Sequence, residues 1–233
     1  MTTKLVPAEP YDFTFDPDRT ALLVIDMQRD FVYPGGFGAA LGNDTSPLLA
    51  AVEPIQRVLA AARDVGLTVV HTREGHRPDL ADLAPSKKAR GRLKSGIGDP
   101  GPMGRILVRG EQGHGIVDEL TPLPSEPVVD KPGKGSFYAT DLDAILHAKD
   151  VRYLVVTGVT TEVCVTSTVR EANDRGYECL VLSDCVASYF PNFHETAIEM
   201  IKAQGGIFGW VAPSAQFLEA LSEAASSDVR SAS

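Results

Sequence analysis

Short, nearly continuous apolar runs alternate along the chain with longer stretches in which apolar residues return every third or fourth position. The runs are residues 21–26 (ALLVID), 67–72 (LTVVHT), 128–130 (VVD), 152–157 (RYLVVT), 177–183 (YECLVLS) and 207–211 (IFGWV). A strand covered on both faces has no solvent side, so runs of this kind predict strands of a buried, mostly parallel sheet.

Between them the helix ends are readable. Ser46 before Pro47 predicts an N-cap and first helical residue, with apolar positions continuing through Leu48, Ala51, Val52, Ile55, Val58, Leu59 and Ala62 to a stop at Gly66. Thr140 with Asp143 predicts a capping box opening a helix over 141–149. Further helices are expected over 161–175, 193–204 and 214–225. This repetition implies an α/β fold, doubly wound, with a mostly parallel six-stranded sheet and helices on both faces. Two long loops rich in Gly and Pro, 27–45 and 73–104, interrupt it, and loops of that length are expected to wall a pocket. With no repeat or low-complexity stretch, residues 1–233 read as one domain with an N-terminal extension (1–18) and a frayed Ser-rich tail (226–233).

Composition narrows the function. The 43% of apolar residues suffices for a proper core. The excess of 31 acidic over 22 basic residues, net charge −9, weighs against nucleic acid and anionic membranes as partners. The one basic stretch, 87–94 (KKARGRLK), reads as a solvated loop. No apolar run approaches the roughly 20 residues of a spanning helix, and the first 20 residues lack a signal peptide's apolar centre. A cytoplasmic location is therefore expected. Cys164, Cys179 and Cys185 form neither a disulfide framework nor a zinc knot by their spacing, so each thiol stands alone.

Ligands of open parallel sheets bind beyond the carboxyl ends of the strands. Asp26 ends the first strand, Lys131 follows the third, and Cys164 lies in the first turn of the helix after RYLVVTG. Each has a plain reading: a loop-start carboxylate, a solvated lysine, a small hydrophobe in a helix. Together they suit nucleophilic catalysis. A helix N-terminus and a nearby ammonium lower a thiol's pKa, and a carboxylate can take its proton and return it to a leaving amine. Cys179 lies inside a strand and Cys185 just past it, and both read as structural.

ALLVIDMQRDF, the lysine of VVDKPGKGSF, and LVVTGVTTEVCVTSTVREANDRGY together resemble the isochorismatase-like cysteine hydrolases, in the family's order and over nearly the whole chain. The resemblance implies the doubly wound fold, a triad of Asp26, Lys131 and Cys164, and a cis peptide between Val159 and Thr160. It also implies an oxyanion hole from the amides of Thr160 and Cys164, worth roughly 3 to 4 kcal/mol per donor. The namesake isochorismatases lack the cysteine, so Cys164 points to acyl transfer through a thioester. Nicotinamidases add a metal held by an Asp-x-His pair and further histidines. Residues 27–70 hold no histidine and only His71 and His76 occur in the next loop, so no metal and no other cofactor is expected.

HTREGHRPDLADL, GIGDPGPMGRIL, DKPGKGSF, REANDRGYECL and QGGIFG resemble the biuret amidohydrolases more closely. That makes biuret, cleaved to allophanate and ammonia, the leading small-molecule substrate. By the same resemblance Phe31 walls the pocket, Lys134 donates to the distal carbonyl and Gln204 pairs with the amide edge. On their own terms Lys134 is a loop charge and Gln204 a helix-end surface residue. The segment 187–194 (ASYFPNFH) is more aromatic than in biuret enzymes, which keeps triuret, ureidoacrylate, a bulkier amide and a lactam open. His76 and Arg77 read either as a lid clamp or as paired surface charges. The family assembles as dimers or tetramers, so a homo-oligomer is expected. A redox-sensing Cys164 would need a resolving thiol nearby, and neither other cysteine is placed for one.

Overall fold

The computed structural model describes residues 3–88 and 95–222. An antiparallel hairpin of β1 (Lys4–Val6) and β2 (Phe13–Phe15) precedes β3 (Thr20–Ile25) and β4 (Thr68–Glu74). The short antiparallel pair β5 (Pro100–Gly101) and β6 (Gly104–Arg105) follows, then β7 (Val128–Lys131), β8 (Tyr153–Val159), β9 (Glu178–Ala187) and β10 (Trp210–Ala212). The main sheet has six strands in the order β10-β9-β8-β3-β4-β7, every pair parallel. From β3 the chain winds outward through β4 to β7, then crosses back to β8 on the other side of β3. The strand order thus reverses at β3 and β8, the place where such sheets leave a crevice at their carboxyl edge.

All six residues of β3 are buried, and their period-2 alternation divides them between two cores. Leu22 and Val24 face the cluster holding Ile55 and Leu59 of the helix Val52–Asp64 and Phe217 of the helix Ser214–Ser222. Ala21, Leu23 and Ile25 face the cluster of Leu146, Val169 and Ile201, from the helices Leu142–Ala148, Thr166–Asp174 and Pro191–Gly206. The sheet is covered on both faces, which is why its strands read as unbroken apolar runs. Residues ahead of β3 join the first core: Val6, Phe13 and Phe15 are buried, and Lys4 Nζ donates to the carbonyls of Ala220 (2.8 Å) and Leu221 (3.1 Å).

Several element ends differ from expectation, each for a local reason. Ser46 is the first residue of the helix Ser46–Ala50 and Thr45 stands at the N-cap, while Asp44 just ahead of it accepts Ser46 N at 2.9 Å and Ser46 Oγ at 2.8 Å. Asp143 closes no capping box; it accepts the Tyr177 hydroxyl at 3.0 Å. The helix expected over 161–175 begins with a π-helical turn, Thr161–Val165, before the α-helix Thr166–Asp174. β10 starts three residues late because the chain turns at Gly209 (φ 147), where a Cβ would collide with the Cys179 carbonyl. Residues 89–94 of the basic stretch, the end of the last predicted helix and the 226–233 tail lie outside the described residues. Among those described, no helix is long and apolar enough to cross a membrane.

Candidate active site

The carboxyl edge brings Asp26, Lys131 and Cys164 together. Asp26 follows β3 in the left-handed region (φ 51), a conformation that Asp tolerates better than most residues, and is completely buried. Thr72 of β4 fixes it twice: its hydroxyl donates to Asp26 Oδ1 at 2.6 Å and accepts the Asp26 amide at 3.2 Å. Lys131, the last residue of β7 and fully buried, places Nζ 2.7 Å from Asp26 Oδ2 and donates to the carbonyls of Gly133 (3.0 Å) and Lys134 (2.9 Å). Burial lowers the pKa of this lysine, but the charges of Asp26 and Glu74 beside it hold it above the ordinary value. At Gly158 of β8 a Cβ would run into the backbone of Ile25, so the approach of β8 to β3 directly behind Asp26 requires glycine.

Cys164 sits in the π-turn, which closes against the end of β8 after a cis Val159–Thr160 peptide. The Thr160 carbonyl accepts the amides of Val163 (3.1 Å) and Val165 (3.2 Å), shaping the turn. Thr168 ties it to the lysine loop, donating to the Cys164 carbonyl at 2.7 Å while pairing with Ser136 Oγ at 2.8 Å. The expected lowering of the thiol's pKa is reversed: burial pushes Cys164 well up, and Lys131 only partly offsets it. Cys179 is pushed up to about 12 by burial, next by the charge of Glu178, and Cys185 is raised by burial as well. Both lie in the cores.

Sequence reasoning missed Glu74, the last residue of β4. Its carboxylate is buried, accepts the Cys164 thiol (Sγ to Oε2, 3.7 Å), and is clamped by Lys134 Nζ at 2.7 and 2.9 Å and by Lys87 Nζ at 3.4 Å. Burial would raise its pKa, but Lys134, Lys131 and Lys87 hold it below the usual carboxylate value. Asp26, Glu74 and Cys164 each bring a ligand-type atom within 4.8 Å of the others. In this cluster the balancing positive charge comes from the chain's own lysines.

A cavity of about 480 Å³ opens beside the cluster. Both long loops wall it, the first through Phe37 and the second through Asp82, Lys87 and Ile97, together with Lys134 from the segment after β7. Phe31 is half-buried in the short helix Arg29–Val32, its carbonyl accepting the Tyr189 hydroxyl at 2.8 Å. Tyr189 is packed inward, whereas Phe190 and Phe193 are exposed and touch each other. His76 is buried between Asp82 (3.2 Å) and Lys87 (3.1 Å), and Arg77 is an exposed partner of Asp79. Gln204 does not border the site. A helix joining two parallel strands runs from the carboxyl end of one to the amino end of the next, and Gln204 lies exposed at the far end of Pro191–Gly206. Its neighbours Gly206 and Phe208 share a cleft with Gly176 and Glu178, at the start of β9.

Residues 20–216 match the family described as the isochorismatase domain, and the chain belongs to that family. It is 36% identical over 227 residues to a ureidoacrylate amidohydrolase RutB of Cronobacter sakazakii, covering 95% of this chain and 97% of that protein. It is 37% identical over 222 residues to a RutB of Methylorubrum extorquens, covering 93% and 88%. Among solved structures, a cysteine hydrolase from Pseudomonas syringae pv. phaseolicola superposes with a TM-score of 0.74 at 28% identity, covering 95% of this chain and 98% of that one. An N-carbamoylsarcosine amidase from Thermoplasma acidophilum gives 0.64 at 26% identity, covering 84% and 96%. The chain is an isochorismatase-family amidohydrolase.

Proposed function

We propose that this amidohydrolase cleaves a small uncharged ureide, biuret first, through a thioester on Cys164. The observation that carries the reading is charge balance. Each ammonium next to the thiol already faces a carboxylate: Lys131 with Asp26, and Lys134 and Lys87 with Glu74. A neutral substrate leaves those pairs intact, whereas an anionic one must break one of them at the cost of a buried, unpaired carboxylate.

In the proposed reaction Asp26 takes the thiol proton as the substrate carbonyl arrives, and Lys131 compensates the charge that develops on sulfur. The thiolate adds to the carbonyl, whose oxygen is received by the amides of Thr160 and Cys164. The amine leaves with the proton from Asp26, and water, deprotonated by the same carboxylate, hydrolyses the thioester. From biuret the products are ammonia and allophanate. Lys134, which lines the cavity, donates to the distal carbonyl, while Phe31 lies in the short helix just ahead of Phe37, the first-loop residue that lines the cavity. The chemistry asks for no cofactor and no partner beyond the substrate. We also propose a homo-oligomer, with the exposed Phe190 and Phe193 at its contact, and a cytoplasmic location.

A second reading rests on the relatives' names. Ureidoacrylate is a ureide that carries its own carboxylate, and Lys88, also on the cavity wall, would then serve as its counter-ion. The test is ammonia release from biuret, triuret, ureidoacrylate and nicotinamide at matched concentrations, with Cys164→Ala as control. Preference for biuret or triuret supports the first reading. Preference for ureidoacrylate replaces it with the second, and turnover of nicotinamide alone rejects both.

A further inference from the structure

Glu74 has no part in the proton transfers just described, yet it stands closer to the reactive sulfur than packing requires. Its side chain is 1% exposed. One neighbouring side chain grips its backbone on both sides: Gln28 Oε1 accepts the Glu74 amide at 2.7 Å, and Gln28 Nε2 donates to the Glu74 carbonyl at 2.9 Å. Lys134 and Lys87 both hold Oε1, at 2.7 and 3.4 Å. Oε2 faces Lys134 at 2.9 Å and the thiol at 3.7 Å. A buried, rigidly mounted carboxylate is expensive to maintain, and this one directs an acceptor oxygen at the place where bond-making occurs.

We propose that Glu74 is a specificity-determining residue of the site, its Oε2 accepting an N–H from the NH₂ group on the carbonyl under attack. The assignment rests on the ureide reading above. In an attack-ready pose the carbonyl carbon lies about 3 to 3.5 Å from sulfur. An amino group on that same carbon is then a neighbour of Sγ, within hydrogen-bonding reach of an oxygen 3.7 Å from it. The timing also fits. When the thiol gives its proton to Asp26, Oε2 loses a donor, and the substrate N–H replaces it. A carboxylate held ionised by two lysines accepts and cannot donate, so it favours primary amide and ureido ends over esters and fully N-substituted ends. Sites that hydrogen-bond a substrate N–H discriminate strongly against analogues lacking it, because their own buried polar group is left unpaired.

The test compares two acyl donors on wild type, Glu74→Gln and Glu74→Asp. One is biuret, read as kcat/KM for ammonia release. The other is p-nitrophenyl acetate, which has no N–H, read as the rate of acetylation of Cys164. Glu74→Gln is expected to lower the ratio of the biuret rate to the ester rate about 100-fold, because the ester offers no N–H for this position to accept. Glu74→Asp keeps the charge and is expected to recover part of the biuret activity; it also carries the test if Glu74→Gln fails to fold. Equal losses on both donors would mean that Glu74 serves the thiol or the fold, and unchanged biuret turnover would mean that it reads nothing. Either result overturns the assignment while leaving the ureide reading intact. A wild type that the ester acylates but that turns over no ureide overturns both.

Discussion

Strand β4 contributes to two buried ionic clusters, one around His71 and one around Glu74, built from similar parts. In the first, Glu126 accepts Arg63 Nε at 2.7 Å and Nη2 at 2.8 Å, the Leu123 amide at 2.9 Å, and pairs with His71 Nε2 at 3.0 Å. Burial opposes its ionisation, but Arg63, the Leu123 amide and His71 bring its pKa down to about 2. His71 is lowered chiefly by burial and stays neutral. In the second cluster, Glu74 and Asp26 are likewise held by cations, but one contact of Glu74 goes to a thiol and two go to lysines that line a cavity. Buried charge is common to both. What separates them is a nucleophile: Arg63 and Glu126 also line a cavity, of about 240 Å³, but no thiol stands among its lining residues.

The contrast can be broken in four ways. The largest effect belongs to Cys164→Ala, expected to lower ammonia release by at least about 10⁴-fold while thermal unfolding shows an intact fold. Next comes Lys131→Met, which removes the cation facing Asp26. We expect roughly a 10³-fold loss of activity, slower alkylation at Cys164, and a stability cost of about 3 kcal/mol from the uncompensated carboxylate. Alkylation at the wild-type rate would remove thiolate stabilisation from the role of Lys131.

A smaller effect concerns the thiols themselves. Because burial raises the Cys164 pKa, its alkylation should still be climbing above pH 9, without the plateau near neutrality of a preformed thiolate. Cys179, with no cation beside it and a pKa pushed up to about 12, should label more slowly at each pH, as peptide mass spectrometry would read. The smallest effect on catalysis is that of Glu126→Gln, whose kcat/KM should stay within about twofold of wild type, with stability lowered by about 2 kcal/mol at pH 7. Because folding lowers the Glu126 pKa, its contribution is complete above the ordinary value of 4.5 and is lost as pH falls toward about 2. The gap in melting temperature between the two proteins should close over that interval, and a pH-independent gap would remove the ionic explanation.

The sheet was legible because strands buried on both faces leave an unbroken apolar trace, and Asp26, Lys131 and Cys164 because each follows such a trace. Glu74 was not, because the run LTVVHT ends before the strand does. Extending β4 by two residues through Arg73 sets Glu74 on the carboxyl edge beside Asp26. Topology that was available sets Gln204 away from the site of its own chain: in a parallel crossover the end of the helix faces the opposite edge. The resting state of the thiol was beyond reach, because helix position and a nearby lysine are visible in sequence and depth of burial is not. Ser46 entered the helix because the Asp44 carboxylate two residues before it takes its amide, so the helix starts one residue earlier than Ser46-Pro47 suggests.

The placement of β3 also bears on how the molecule is made. Its central position means that one flank is filled only by β8: the Thr157 hydroxyl meets the Leu23 carbonyl across 134 residues of chain. At a ribosome adding about 5 to 20 residues per second, this strand, buried along its whole length, waits roughly 7 to 27 s for that neighbour. Through that interval it is a target for holding chaperones, and Asp26 acquires its place beside Cys164 only when the wait ends.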